Sequence, residues 1–188
     1  MLTMAVLVIG NIEYEVYYKG AKYLSYLLTP ATVCLAIPLY QKLELLKKNF
    51  LAVIAGILAG VLSSMGSILA MAALFGLSHE EYVTLLPKSI TTAIGMGVSE
   101  ELGGYVTISV AVIIITGVLG NMSAEFICRV FRIQSGISKG LAIGTASHAI
   151  GTAKAMEMGE TEGAMSGLAI VVAGICTVAG ASVFSMLW

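Results

Sequence analysis

Three long stretches of this chain carry no Lys, Arg, Asp or Glu, and they limit what it can fold into more than any other feature. They cover residues 49–79, 102–124 and 163–188. Each exceeds the ~20 residues that a helix needs to cross about 30 Å of hydrocarbon. Of the 188 residues, 58% are hydrophobic and 11% are charged, whereas soluble domains average roughly 25% charged residues. The sequence therefore predicts an integral membrane protein.

The same stretches favour helices over a membrane β-barrel. In lipid, only helices and closed barrels satisfy every backbone hydrogen bond. Barrel strands alternate apolar and polar residues over ~10 positions, whereas residues 53–74 show no such alternation. We therefore expect an all-α fold, a transmembrane helix bundle that forms one domain over residues 1–188.

Charge and motif content exclude several functions. The net charge is −1 and no basic stripe is present, so we expect no nucleic-acid partner. The cysteines stand singly in apolar surroundings, which indicates buried hydrophobes rather than a disulfide or a metal site. The chain contains no nucleophile with a base partner and no phosphate-binding loop. We therefore expect no enzyme activity, no metal and no cofactor.

Shorter uncharged segments predict interrupted helices. Residues 89–99 and 140–153 are rich in Gly, Ser, Thr and Ala, are flanked by charge and are too short to span. Transporters commonly place substrate sites at helices interrupted in this way. A third run, residues 23–41, contains two prolines that remove backbone donors. We interpret it as an interrupted helix inside the bundle, with Thr29 and Thr32 beside the break.

The distribution of Lys and Arg predicts the orientation. Basic residues cluster at 42–48 and 129–139, and the connector at 79–81 has none. By the positive-inside rule, the basic loops lie in the cytoplasm and the acidic connector lies outside. Residues 80–103 then begin and end outside, which predicts a re-entrant hairpin. We expect it to open near Pro87 and to turn in the region of two glycines, Gly95 and Gly97.

A second hairpin is expected over residues 137–160, entering from the cytoplasm. A hairpin followed by a spanning helix would then occur twice, over 80–128 and 137–188, in opposite orientations. A shift of 56 residues places Glu101 on Glu157 and also superposes two Ala-Ile-Gly triplets. Internal similarity with opposed orientation indicates an inverted repeat. The alternative is two amphipathic helices on the membrane surface.

The first candidate binding site follows Pro87. Lys88 is succeeded by three hydroxyl residues, Ser89, Thr91 and Thr92. The hydroxyls favour a helix N-terminus, whose free N–H groups attract anions, and the lysine adds a positive charge. The alternative is a lysine that extends its charge to the membrane interface.

The second candidate site is centred on His148. On a continuous helix, Thr145, His148 and Thr152 would share a face next to Ser147. Histidine titrates near neutral pH, so it can bind an anion or carry a coupled proton. The alternative is a neutral histidine bonded to a carbonyl at a helix crossing. Glu157 is a further candidate for proton coupling, and in the alternative it caps the end of the hairpin.

Three blocks of the chain resemble the LrgB/CidB family of bacterial membrane proteins, and the resemblance covers nearly the whole chain. The blocks are residues 29–33 running into 36–40, residues 86–92, and residues 144–155. Members of that family usually carry a further apolar helix before the point where this chain begins. We therefore expect the family's N-terminal helix to be missing here.

The resemblance implies a multi-pass protein of the bacterial cytoplasmic (inner) membrane and two alternative functions. One is transport of small monocarboxylates, similar to the plastid glycolate/glycerate transporters and to bacterial relatives linked to pyruvate. The other is a holin/antiholin-like regulator of murein hydrolase activity and cell lysis, acting with an LrgA/CidA-type partner. A homo-oligomer fits either function. We favour transport by alternating access, with the anion at the broken-helix N-termini, because a holin has no use for paired interrupted helices carrying Lys and His.

Overall fold

The computed structural model describes residues 6, 7, 9–26 and 36–188. The chain forms two compact units, Met1–Ile37 and Pro38–Trp188. The first contains helix α1 (Tyr14–Ser25), and α2 (Ala36–Gln41) lies at the boundary between the units. Thr29 and Thr32, predicted beside an interrupted helix, lie outside the described residues.

The second unit is built from helices. These are α3 (Leu43–Lys48), α4 (Phe50–Phe75), α5 (His79–Leu85), α6 (Thr92–Glu101), α7 (Val106–Val130), α8 (Gly136–Met158) and α9 (Glu160–Phe184), followed by a 3₁₀ turn (Ser185–Leu187). Three of them, α4, α7 and α9, are long and apolar enough to cross a membrane. The described residues contain no strand. The prediction of an all-α membrane protein is therefore confirmed.

Helices α5 and α6 form hairpin 1, whose tip is the non-helical segment 86–91. The two ends of the hairpin meet, because the Tyr105 hydroxyl donates to Glu80 Oε2 (2.7 Å) and the Tyr105 amide donates to Thr84 Oγ1 (2.7 Å). The bond from Tyr105 to the Glu80 carboxylate raises the pKa of this tyrosine. Hairpin 1 therefore opens at the end of the unit that carries Glu80, which we call the acidic end.

The predicted turn of hairpin 1 at Gly95 and Gly97 is wrong. Both glycines lie inside α6, which begins at Thr92 after the N-cap residue Thr91. The break precedes them because Pro87 has no N–H and cannot continue the backbone hydrogen bonding of α5, although Leu86 before it still has helical dihedral angles. Gly95 instead lets α7 approach, since a Cβ there would collide with the Ile113 side chain.

Helix α8 forms hairpin 2, whose two arms (residues 136–147 and 149–158) meet at His148. The backbone of His148 is non-helical, with φ 43° and ψ −139°. Both arms pack on the same residue of α9: Gly144 faces Ser166, and Thr152 Oγ1 lies 2.7 Å from Ser166 Oγ. The arms therefore fold back on one another.

The two hairpins open at opposite ends of the unit. The open end of hairpin 2, at Lys139 and Glu157, lies beside Arg129 near the end of α7. We call this the basic end, since Lys42 also pairs there with Glu160 at the start of α9 (3.0 Å). Because α7 begins at the acidic end and finishes at the basic end, each hairpin enters from a different side.

The tips of both hairpins lie near the middle of the spanning helices. Lys88, at the tip of hairpin 1, contacts Ser64 in the central part of α4. The tip of hairpin 2 lies on α7, where Gly117 faces the His148 ring and Gly120 faces Ser147. Small residues permit such close helix packing in membranes. The fold thereby places both chain breaks at mid-bundle.

Candidate functional site

A cleft of about 680 Å³ lies between α4, α7, the first arm of hairpin 2 and the tip of hairpin 1. It extends from Ala52 and Ser138, near the basic end, to Ser64 and Lys88 at mid-bundle. Hydroxyl side chains dominate its polar lining: Ser63, Ser64, Ser67, Ser89, Thr116, Ser138, Thr145 and Ser147. The cleft thus extends from one end of the bundle to residues of both hairpin tips.

Lys88 supplies the positive charge of the cleft. Its Nζ donates to Ser89 Oγ (2.9 Å) and to Ser64 Oγ (3.2 Å), and Ser64 Oγ donates to Ser89 Oγ (3.0 Å). None of the ion pairs among the described residues includes Lys88, so no described carboxylate neutralises its ammonium group. The described protein groups that bond this ammonium at mid-bundle are therefore hydroxyls.

The same three residues leave two hydrogen-bond donors for a ligand. A lysine ammonium carries three N–H groups, and two of those of Lys88 are engaged. Ser89 accepts from both neighbours, so its own O–H remains available. One cationic and one neutral donor side by side match the two oxygens of a carboxylate.

Hairpin 2 contributes Ser147 to the cleft. This residue is 3% exposed, and its hydroxyl has no hydrogen-bond partner in the part of the chain that the structure describes. Thr145, two residues earlier, bonds its own helix through Leu141 O (2.8 Å). Ser147 is therefore the polar group of this tip that remains free to meet a ligand.

The structure brings Lys88, Ser89 and Ser147 together in the cleft, but Thr91 and Thr92 are not part of its lining. Those threonines form the N-cap and first residue of α6. The cleft does lie close to that N-terminus, because α6 begins four residues after Lys88.

His148 and Thr152 face away from the cleft. His148 Nε2 lies 3.0 Å from Ile113 O on α7, and Thr152 Oγ1 bonds His148 O (2.9 Å). The prediction that Thr145, His148 and Thr152 share one helix face is wrong, because the chain reverses at His148. Of the three, Thr145 lines the cleft.

Glu157 lies at the basic end rather than beside the tip. Its carboxylate pairs with Lys154 (3.1 Å), which also pairs with Glu125 on α7 (2.7 Å). This bridge joins the second arm of hairpin 2 to α7. The two residues considered for proton coupling, His148 and Glu157, are therefore at opposite ends of that arm.

Sequence reasoning missed the serines of α4. Ser63, Ser64 and Ser67 all line the cleft, and they stand within an apolar helix of 26 residues. Three hydroxyls clustered within one turn of a spanning helix were the available signal, since polar groups in such helices usually face the bundle interior or a cavity.

Comparison with known proteins gives consistent matches over most of the chain. The model of the LrgB-like family matches residues 1–187. The chain is 42% identical over 170 residues to the holin-like protein CidB of Staphylococcus aureus strain N315, covering 90% of this chain and 74% of the relative. It is 37% identical over 178 residues to the antiholin-like protein LrgB of Bacillus cereus strain B4264, covering 95% and 77%. No solved structure matches the chain.

Proposed function

The chain belongs to the LrgB-like family, and from this premise we propose that it transports a small monocarboxylate across the membrane. Glycolate, glycerate and pyruvate are the candidates of suitable size and charge. The carboxylate binds in the cleft, with one oxygen on the Lys88 ammonium and the other on the Ser89 hydroxyl. Ser147 donates from the opposite tip, and the N-terminus of α6, at Thr91 and Thr92, adds the positive end of its dipole.

One observation carries the proposal: Lys88 is a charge without a described counter-ion at mid-bundle. A lysine at the centre of a spanning helix costs about 2.5–3.5 kcal/mol in insertion experiments. A chain retains such a charge when a ligand or a partner offsets the cost, and intramembrane ionisable groups commonly mark substrate pathways. A monovalent anion with two oxygens fits both the charge and the two free donors.

The proposed mode is alternating access between two halves related as an inverted repeat. Three features support it: hairpins 1 and 2 open at opposite ends, the spanning helices that follow them run in opposite directions, and both tips reach mid-bundle. When the sequence is aligned with itself at a shift of 56 residues, Thr92, the first residue of α6, also aligns with His148, where the helix of hairpin 2 is interrupted. The cleft reaches Ala52 and Ser138 near the basic end, so we assign this conformation to access from the cytoplasm.

The test is uptake of labelled glycolate, pyruvate and lactate into proteoliposomes. Lys88→Met removes the charge while keeping most of the side-chain volume, and should reduce uptake about 10- to 100-fold, the range expected from losing a charged hydrogen bond. Lys88→Arg should retain part of the activity. Lys47→Met, an exposed lysine on α3, is the matched control and should transport normally. Equal uptake by Lys88→Met and the control would refute the proposal.

A second candidate function rests on the names of the relatives. Proteins 37–42% identical to this chain are called holin-like and antiholin-like, so a holin- or antiholin-like function with an LrgA/CidA-type membrane partner is the alternative. The same vesicles discriminate the two. Release of a trapped dye without saturable carboxylate uptake would support the holin-like function, whereas saturable uptake with the dye retained would support transport.

A further inference from the structure

The tip of hairpin 2 carries an unusual backbone conformation for a residue with a side chain. His148 has φ 43° and ψ −139°, a region that glycine tolerates and other residues rarely adopt. Glycines occur close by, at 144 and 151, yet histidine occupies the break itself. Strain of this kind persists when surrounding contacts hold it in place.

The ring of His148 provides such a contact. It is 2% exposed, and its Nε2 lies 3.0 Å from the carbonyl oxygen of Ile113. A carbonyl can only accept, so Nε2 carries the proton in this contact. Gly117 makes room for the ring, because a Cβ there would lie 2.7 Å from His148 Cε1.

Two further bonds hold the same tip. Asn121 Nδ2 on α7 donates to Ile150 O (2.8 Å), and Thr152 Oγ1 donates to His148 O (2.9 Å). Ser147 precedes the histidine, packs against Gly120 and lines the cleft. The orientation of Ser147 therefore depends on how the next residue is held.

We propose that His148 is a positioning residue rather than a ligand-binding or proton-carrying one. Its Nε2–H bond to the Ile113 carbonyl fixes the tip of hairpin 2 on α7, and this directs the Ser147 hydroxyl into the cleft. The statement about the tip stands on the contacts alone. The consequence for transport rests on the function proposed above.

Two amide substitutions separate these roles. In His148→Gln the amide nitrogen reaches about as far as Nε2 and can donate to Ile113 O. In His148→Asn the side chain is one bond shorter, so its amide nitrogen does not reach this carbonyl. Neither side chain titrates near neutral pH. The first measurement is hydrogen exchange of the peptide covering residues 143–152 in the reconstituted protein. The second is carboxylate uptake. His79→Asn, at the acidic end, is the matched control.

We expect His148→Gln to keep slow exchange and nearly normal uptake. His148→Asn should exchange about tenfold faster at the tip and lose about tenfold in uptake, the effect of one lost hydrogen bond. Loss of uptake in both variants with the tip still protected would overturn the proposal in favour of proton transfer or ligand contact. Wild-type exchange in His148→Asn would overturn it as well. If the wild-type protein moves no carboxylate, the transport proposal fails while the exchange data still decide the role of the ring.

Discussion

Replacing Gly120 by alanine should push the tip of hairpin 2 off α7. A Cβ at this position would collide with Ser147 Oγ and lie 2.5 Å from Ser147 Cβ. Inserting one methyl group into a packed contact costs about 1–3 kcal/mol. Alanine also has higher helix propensity than glycine by about 0.8–1 kcal/mol, which partly offsets this cost.

Gly66→Ala is the control that isolates the collision. Gly66 lies inside α4, and a Cβ there would meet nothing within 4 Å. Both substitutions gain the same helix propensity, so the difference in unfolding free energy between the variants should equal the packing cost, about 1–3 kcal/mol. Gly66→Ala should be the more stable of the two.

In the assay, each variant is unfolded in mixed micelles by raising the fraction of a denaturing detergent. Unfolding is monitored by the helical circular dichroism signal. Carboxylate uptake by the same preparations reports the functional consequence, because displacement of Ser147 should weaken binding while the Gly66 variant transports normally. If both variants have the same stability and the same uptake, the tip of hairpin 2 does not pack on Gly120 and the reasoning is refuted.

Three other perturbations have defined outcomes. Cysteines introduced at residues 45 and 135 should react with a membrane-impermeant reagent only from the cytoplasm, and a cysteine at 80 only from outside; the reverse pattern at 80 and 135 would contradict the opposed hairpins. Ser64→Ala removes two bonds around the Lys88 ammonium and should raise the KM for carboxylate about fivefold, while an unchanged KM would show that the hydroxyl is dispensable. Lys154→Gln should lower the unfolding free energy by at most about 1 kcal/mol, since its partners are more than half exposed; a larger loss in mixed micelles would mean that the bridge is buried in lipid.

Local composition was sufficient to predict the spanning helices. The helices α4, α7 and α9 largely overlap the three uncharged stretches, because crossing hydrocarbon requires mainly length and a low content of charge. The break before α6 is also predictable, since Pro87 has no N–H with which to continue the helical hydrogen bonding. The chemistry of the side chains identifies Lys88 and Ser147, as polar groups beside or within segments too short to span.

The contacts made by those residues were decided by tertiary packing. In the sequence, Gly95 and Gly97 predict a turn, but glycine also occurs where a neighbouring helix packs closely. The space that Ile113 occupies beside Gly95 shows that this glycine permits close packing. Likewise, helical periodicity placed Thr145 and His148 on one face, and the reversal of α8 separated them. A single sequence does not distinguish these cases, because both conformations satisfy the same local preferences.

The cleft combines features that a single sequence predicts with contacts that depend on tertiary packing. Its cation comes from hairpin 1, its serines from α4 and its free hydroxyl from hairpin 2. The sequence by itself determined that α4 is long and apolar enough to cross a membrane, because this depends only on the length and hydropathy of the segment. Only the tertiary structure decided that α4 and the two hairpins line one cleft, because the rotation of each helix and the depth of each tip depend on small-residue contacts summed over several helices at once.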